Sequence, residues 1–531
     1  MSYSRVPYFA AIVLLMLVAF TVRVVSINAQ SLWRDEVDAL CYAYEFPYLV
    51  TQTLAPGTVG DLGTPYACPS LAVTPARSLD ESALLRLART FGGMIRENGP
   101  LYFFLLRGWI AVAGTSEYAM RFFSLVFGVL AVPLIYVLGR HLFDRQTGLF
   151  AALLVTVSPY LTWYSQEVKM YALVLALALL AIYGLRRAVE GGDWRWWAVQ
   201  IVATSLAFYS HILAALLIPV QIMLYFAWWP QARKQWVGAL ISLSCLTLPY
   251  LPLALWQAPQ VFRARETGFF PYTLSEMVKI LLNGWSLGML SRGWPWGTVL
   301  TGALAVWGLV GTLFLSPTVR EGLGWGRNRF ALICWLVLPL LAVRFISLWQ
   351  PLFTDRYLIW TSPAFYLLTA LGLASIGRFG YWGRWAIVFL LSVILVLSGI
   401  NLRGQAIEAI KSDFRAAAAY VADRYVPEEL IVFQIPHGVY TFDYYFPADE
   451  YPWAEGLYTN HRLPDGSYVM SEQNAAPQMQ EMTAAYDVVW LVATETTMWD
   501  ERGLVRAWLD ANRERVDEAY FMGVDVYRYV R

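Results

Sequence analysis

Apolar residues fill long uninterrupted stretches over the first three-quarters of the chain, and polar positions are confined to the gaps between them. Eleven stretches reach or approach the ~20 apolar residues that a helix needs to cross a bilayer. They are Tyr8–Ile27, Met120–Gly139, Gly148–Ser165, Val168–Leu185, Trp194–Tyr209, Ile212–Trp229, Trp236–Trp256, Gly297–Leu315, Phe330–Leu348, Tyr357–Ile376 and Trp385–Leu402. A helix satisfies its own backbone hydrogen bonds in hydrocarbon, so each stretch is predicted to span as a helix. The pattern changes from Arg403 onward. Leu430–Ile435 and Val488–Val492 are short apolar runs of strand length, and Val524–Tyr529 alternates as an edge strand does. Ser412–Tyr425, with Ser412 as N-cap, and Leu504–Glu514 read as helices.

The predicted architecture is therefore an all-α polytopic membrane domain of about eleven transmembrane helices with outer juxtamembrane helices, followed by a small C-terminal α/β soluble domain. The membrane domain takes residues 1–402, interrupted by polar loops at 28–118 and 257–296, and the soluble domain takes residues 403–531.

One short apolar stretch decides which side each loop occupies. Leu101–Gly114 carries Arg107 at its middle. Laid along the interface rather than across the membrane, it leaves Arg140, Arg145, Arg186, Arg187, Arg195, Arg233, Lys234, Arg320, Arg327, Arg329, Arg378 and Arg384 on the side of Arg5. The opposite short loops keep Lys169 and Arg356. Positive charge stays cytoplasmic, so this parity predicts a multi-pass protein of the cell (inner or plasma) membrane. Its N-terminus would be cytoplasmic, and both long loops and the C-terminal domain would lie outside. The first run has the length of a signal peptide, but Arg23 inside it favours a retained helix.

Composition agrees. Of 531 residues 58% are hydrophobic and 15% charged, with mean hydropathy +0.48, against about 25% charged in soluble domains. The 24 Trp and 32 Tyr suit two interfacial belts. A net charge of +1 gives no electrostatic footprint for nucleic acid. No P-loop, GxGxxG fingerprint or Cys/His zinc spacing occurs. Cys245 and Cys334 fall inside spans and read as core residues. Cys41 and Cys68 share the first outer loop, where a bridge and two free thiols both fit.

Ionisable residues at a membrane are functional candidates because they cost several kcal/mol unless paired or solvated. By the parity above, Asp35, Glu36 and Asp38, Glu97 and Asn98, Gln166, Glu167 and Lys169, His211, and Asp355 with Arg356 all fall on the outer face. Singly each has a bland reading: helix-start acids, a solvated loop pair, an interfacial histidine, a snorkelling arginine. Together they offer a carboxylate to take an acceptor proton and cations to hold a phosphate. Asp35 and Glu36 are also candidate ligands for a divalent cation, with an acidic helix start as the alternative.

These residues resemble the integral-membrane glycosyltransferases of the C superfamily, in the family-39-like branch related to protein O-mannosyltransferases and lipid A aminoarabinose transferases. The resemblance rests on Ser31-Leu32-Trp33-Arg34-Asp35-Glu36, on Asn98-Gly99-Pro100-Leu101-Tyr102 with Gly99 where proline is usual, and on Gly114-Thr115-Ser116-Glu117 followed by Arg121, Phe122 and Ser124. It continues through Trp163-Tyr164-Ser165-Gln166-Glu167 with Lys169-Met170-Tyr171, and Arg356-Tyr357-Leu358, covering about Ser4–Ile376 in order. It implies a GT-C fold and inverting transfer of a hexosyl or pentosyl group from a polyprenyl-phosphate donor on the outer face. Asp35 would be the base with Glu36 beside it, and Arg356 would hold the donor phosphate. Lys169, Glu167, Tyr357, Tyr102 and His211 would line the donor or substrate site. The acceptor is left open among lipid, protein and glycan. A transporter or flippase of a lipid-linked sugar is the competing expectation; it would gather its ionisable groups at the bilayer midplane.

Overall fold

The computed structural model describes residues 6–44, 99–251, 255, 269–311, 325–435, 438–446, 451–463 and 465–531. Glu97, Asn98 and Cys68 lie outside the described residues. The chain forms two compact units: Met1–Ile27 with Met94–Ile407, and Asn28–Gly93 with Glu408–Arg531.

The first unit is helical. Six described helices are long and apolar enough to cross a membrane, starting at Tyr8, Glu117, Tyr171, Gly326, Asp355 and Gly380, and up to eight spans result if two bent pairs each count as one. The predicted eleven are thus not reached among the described residues. Trp194–Ser210 and Trp296–Val310 are regular helices of 17 and 15 residues, short of a full span. The run at Gly148–Ser165 is broken into Arg145–Val157 and Pro159–Ser165, bent by 59°. The predicted interfacial stretch is a 14-residue helix, Pro100–Ala113, with proline in its first turn.

The break explains Arg23. Pro159 has no N–H to return to Val155 O, so carbonyls at the end of the first half-helix lose their partners. Arg23 is fully buried, and its guanidinium donates to Val155 O at 3.0 Å, Thr156 O at 3.1 Å and Ser165 Oγ at 3.3 Å. The charge that argued against a signal peptide is a cap for the kink. Gly128 lets Ser165 in, because a Cβ there would lie 2.1 Å from its Oγ.

Ser362–Ile376 is buried from Ser362 through Ser375, as expected of a helix apolar all round. It crosses Trp296–Val310 at paired glycines: a Cβ on Gly308 would meet Leu368 O at 2.1 Å, and one on Gly372 would meet Leu304 O at 2.1 Å. Small residues at a crossing are how membrane helices approach closely. Outward faces carry large apolar side chains such as Phe9, Leu14, Trp382 and Phe389. Cys334 is buried as expected; Cys245 is instead exposed. Its helix, Trp236–Thr247, buries only Ser242 and Leu246.

The second unit is a five-stranded sheet with helices on its faces, in the order β2-β1-β3-β5-β4. The strands are β1 Leu430–Phe433, β2 Trp453–Glu455, β3 Val488–Thr494, β4 Glu514–Phe521 and β5 Val524–Val530. β1 is parallel to β2 and β3, while β5 is antiparallel to β3 and β4. Leu430, Val432, Val489 and Leu491 pack with Met479, Val505, Leu509, Tyr527 and Tyr529 into the core on one face. The strand predicted at the edge, Val524–Tyr529, is interior. The edge on that side is β4, which carries Glu514, Arg515, Asp517 and Glu518, charges that discourage further strand pairing and hid it from an apolar pattern. The first tail helix runs Phe414–Ala422 and is capped by Asp413, which accepts from Ala416 N at 3.1 Å, rather than by Ser412.

Candidate functional site

The predicted site residues divide between the units. Asp35 and Glu36 belong to the second; Tyr102, Glu167, Lys169, His211, Arg356 and Tyr357 belong to the first.

In the second unit, residues 28–36 are stitched to the start of the tail. Gln30 donates to Glu408 O at 2.7 Å and accepts from Ile410 N at 2.9 Å. Arg415 donates to Asn28 O and Gln30 O, and Leu32 N donates to the Tyr445 hydroxyl at 2.7 Å. This fixes the start of the helix Arg34–Tyr44, whose first turn holds Asp35 and Glu36, where the helix dipole favours negative charge. The two acids then part. Glu36 is fully buried, and its Oε2 lies 3.0 Å from Lys411 Nζ, itself 6% exposed in its side chain. Lys411 also sits 5.8 Å from the centre of the Trp33 ring. The Asp35 side chain keeps 17% of its exposure, with Arg34 Nε at 4.0 Å. Of the two carboxylates, Asp35 is the more exposed.

Cys41, in the same helix, is disulfide-bonded, so it is not a free thiol; Cys68 lies outside the described residues. Among the described residues no three His, Cys, Asp or Glu side chains form a metal-holding group.

In the first unit the turn after the kinked pair, residues 166–170, is pinned from two sides. Gln166 Nε2 donates to Arg23 O at 2.6 Å and to Ser26 Oγ at 2.8 Å. Ser124 Oγ donates to Lys169 O at 3.2 Å and bonds the Tyr102 hydroxyl at 2.7 Å. Tyr102 is fully buried against the Phe103 and Phe123 rings, so it acts on this turn through Ser124. Glu167 is buried, and Lys169 is partly exposed.

The turn faces an aromatic nest around Arg356. Its guanidinium lies 5.9 Å from the ring centres of both Tyr171 and Tyr357. The His211 ring is 4.8 Å from Tyr357 and 6.2 Å from Tyr171, and Phe269 covers Tyr357 at 5.9 Å. Below it Tyr164 donates to Asp355 Oδ2 and Tyr160 to Asp355 O, both at 2.9 Å, which fixes the segment that carries Arg356. The charges of Asp355, Glu167 and Arg356 all reach the Tyr164 hydroxyl.

His211 is the informative member. Burial, and then the Arg356 charge, push its imidazole down to about 3, so it is neutral. Nδ1 accepts from Leu213 N at 3.2 Å, which places the proton on Nε2. That Nε2–H is buried and has no acceptor among the described residues. A buried donor without a partner costs roughly 1–3 kcal/mol. Next to a guanidinium, it fits an anionic oxygen.

Gly99 accounts for a departure from the resembled motif. It has φ +65°, and a Cβ there would lie 2.0 Å from Ser210 O and 2.7 Å from His211 N. Proline is locked near φ −65° and cannot take this conformation. Gly99→Ala is expected to cost about 2–5 kcal/mol, from left-handed strain plus overlap. A fall in thermal unfolding temperature with retained expression checks it.

Sequence reasoning missed Lys411, Arg415, Tyr445 and Glu495, the tail residues that hold the Asp35 segment. Glu495 bonds Arg34 Nη1 at 2.8 Å. A lone Lys411 just after the last apolar run was the one signal available for any of them. It also missed a buried amide network in the membrane block, in which Gln200 bonds Gln221 and Ser242, and Gln221 bonds Thr204.

Residues 97–256 match the dolichyl-phosphate-mannose-protein mannosyltransferase family. No curated protein matches the chain in sequence. Among solved structures the chain resembles the archaeal oligosaccharyltransferase AglB from Archaeoglobus fulgidus in complex with an inhibitory peptide and a dolichol-phosphate. The TM-score is 0.55 at 12% identity, over 99% of this chain and 74% of that one. It also resembles ArnT from Cupriavidus metallidurans bound to undecaprenyl phosphate, with TM-score 0.52 at 11% identity, over 97% of both chains. The chain has the GT-C fold of membrane glycosyltransferases.

Proposed function

We propose that this protein is a membrane glycosyltransferase that moves one sugar from a polyprenyl-phosphate donor to an acceptor hydroxyl on the outer face of the membrane, with inversion. Arg356 and the His211 Nε2–H hold the donor phosphate, and Lys169 and Glu167 line the approach. Asp35 takes the acceptor proton as the hydroxyl oxygen attacks the anomeric carbon from the face opposite the phosphate. The carbon–oxygen bond to the phosphate breaks, and polyprenyl phosphate leaves with the electron pair. Its charge, which grows in the transition state, is what Arg356 stabilises.

The observation that carries this reading is the unpartnered, neutral His211 Nε2–H beside Arg356 in a buried aromatic nest. Support comes from two structures of the same fold, described with dolichol-phosphate and undecaprenyl phosphate respectively. Glu36, one of the two candidate ligands for a divalent cation, is engaged by Lys411.

Purified protein in nanodiscs, given undecaprenyl phosphates carrying mannose, glucose, galactose, arabinose or aminoarabinose, is expected to release undecaprenyl phosphate from at least one. Release from none of them, with flux of a labelled donor across proteoliposomes, would establish transport instead.

A further inference from the structure

Open sheets with parallel strands bind ligands beyond the carboxyl ends of neighbouring strands whose onward connections diverge. Here those strands are β1 and β3. From β1 the chain passes through the helix Gly438–Asp443 to β2 on one side; from β3 it passes through Leu504–Asn512 towards β4 and β5 on the other.

Two buried polar side chains at that end have no partner. Gln434, the residue after β1, extends the ladder by donating its N–H to Val492 O at 2.9 Å, yet its Nε2 makes no hydrogen bond among the described residues. Thr441, on the helix that follows, is fully buried with its hydroxyl unpartnered. The Asp35 helix packs against the same Gly438–Asp443 helix. From β3, Glu495 reaches Arg34 at 2.8 Å and adopts φ 45°, uncommon for a residue with a side chain.

The rim is aromatic. Tyr458 is 40% exposed and its ring lies 4.7 Å from that of Trp499. Trp499 Nε1 donates to Gly456 O at 3.3 Å, and Gly456 packs so closely on Gln434 that a Cβ would meet its Cα at 2.8 Å. An exposed tyrosine ring against a tryptophan, packed beside the segment that carries Gln434, suits a ligand with apolar C–H faces and many hydroxyls. A peptide would call for a free strand edge or an apolar groove.

We propose that the carboxyl ends of β1 and β3 bind the acceptor of the transfer, that this acceptor is a saccharide, and that Gln434 and Thr441 donate to its oxygens beside the Tyr458–Trp499 pair. The inference rests on the glycosyl-transfer reading and names the acceptor's chemical class.

The test titrates the full-length protein in nanodiscs with mannotriose, cellotriose and a Ser/Thr-rich decapeptide, following tryptophan fluorescence. One trisaccharide is expected to bind saturably, and Gln434→Leu and Thr441→Val each to weaken it at least tenfold. Neither should unfold earlier than wild type, since an apolar isostere removes an unsatisfied group. Should one variant misfold, the other still decides. Binding unchanged in the folded variant, no trisaccharide bound, or the peptide bound in their place would overturn the proposal. Undecaprenyl phosphate release by wild type, measured in parallel without acceptor, reports on the donor reaction alone, so failure of the acceptor site and failure of the glycosyl-transfer reading are told apart.

Discussion

Asp35→Asn is expected to lower sugar transfer by about 10²–10⁴-fold, the span of a positioned general base, while thermal unfolding stays at the wild-type temperature. The amide keeps the size of the carboxylate and loses its ability to take a proton. Glu36→Gln is expected to do the reverse. Glu36 is fully buried 3.0 Å from Lys411, so neutralising it removes the carboxylate charge beside a buried ammonium. Removing one partner of such a pair costs about 3–5 kcal/mol, whereas replacing both by apolar residues is often neutral. Lys411→Met should therefore destabilise as Glu36→Gln does, and Glu36→Leu combined with Lys411→Met should recover most of the unfolding temperature. Transfer by the double variant is then limited only by how well the Asp35 helix start is held. An Asp35→Asn protein that transfers normally would remove its role as base; a Glu36→Gln protein as stable as wild type would remove the pair's structural role.

The difference between these two neighbours was not legible in the sequence, because it depends on Lys411, which lies 375 positions away. What the sequence does display is chemistry that repeats locally. Long apolar runs located helices of the first unit without fixing how many of them span, and short ones located β1 and β3. Arg356, Tyr357, His211 and Glu167 stood out as polar groups at membrane depth, and the first unit gathers them. Features that depend on tertiary partners stayed hidden. Arg23 spoke only against a signal peptide, and its role appears once the Pro159 kink supplies carbonyls for it. Gly99 read as a departure from a motif until the Ser210 backbone showed why no side chain fits. The charged strand β4 carries no apolar signature, and its existence displaced β5 from the edge.

Arg356→Lys is expected to raise the donor KM about 10–100-fold and to weaken product inhibition by undecaprenyl phosphate in parallel. Lysine keeps the charge but loses the planar fork that meets a phosphate with two parallel hydrogen bonds and stacks on tyrosine faces. Both rings at 5.9 Å, Tyr171 and Tyr357, would lose that stacking. His211→Phe should preserve the nest's shape and cost roughly tenfold in the same two constants, about the net worth of one hydrogen bond to a charged group. Their pH dependence separates a neutral donor from a cation. With its imidazole held near 3, His211 stays uncharged from pH 8 to pH 5, and donor KM should show no inflection near 6.5. A KM that falls as pH drops through 6.5 in wild type, and is flat in His211→Phe, would mean that His211 binds the phosphate as an imidazolium. Arg356 would then be sharing its charge role rather than holding it alone.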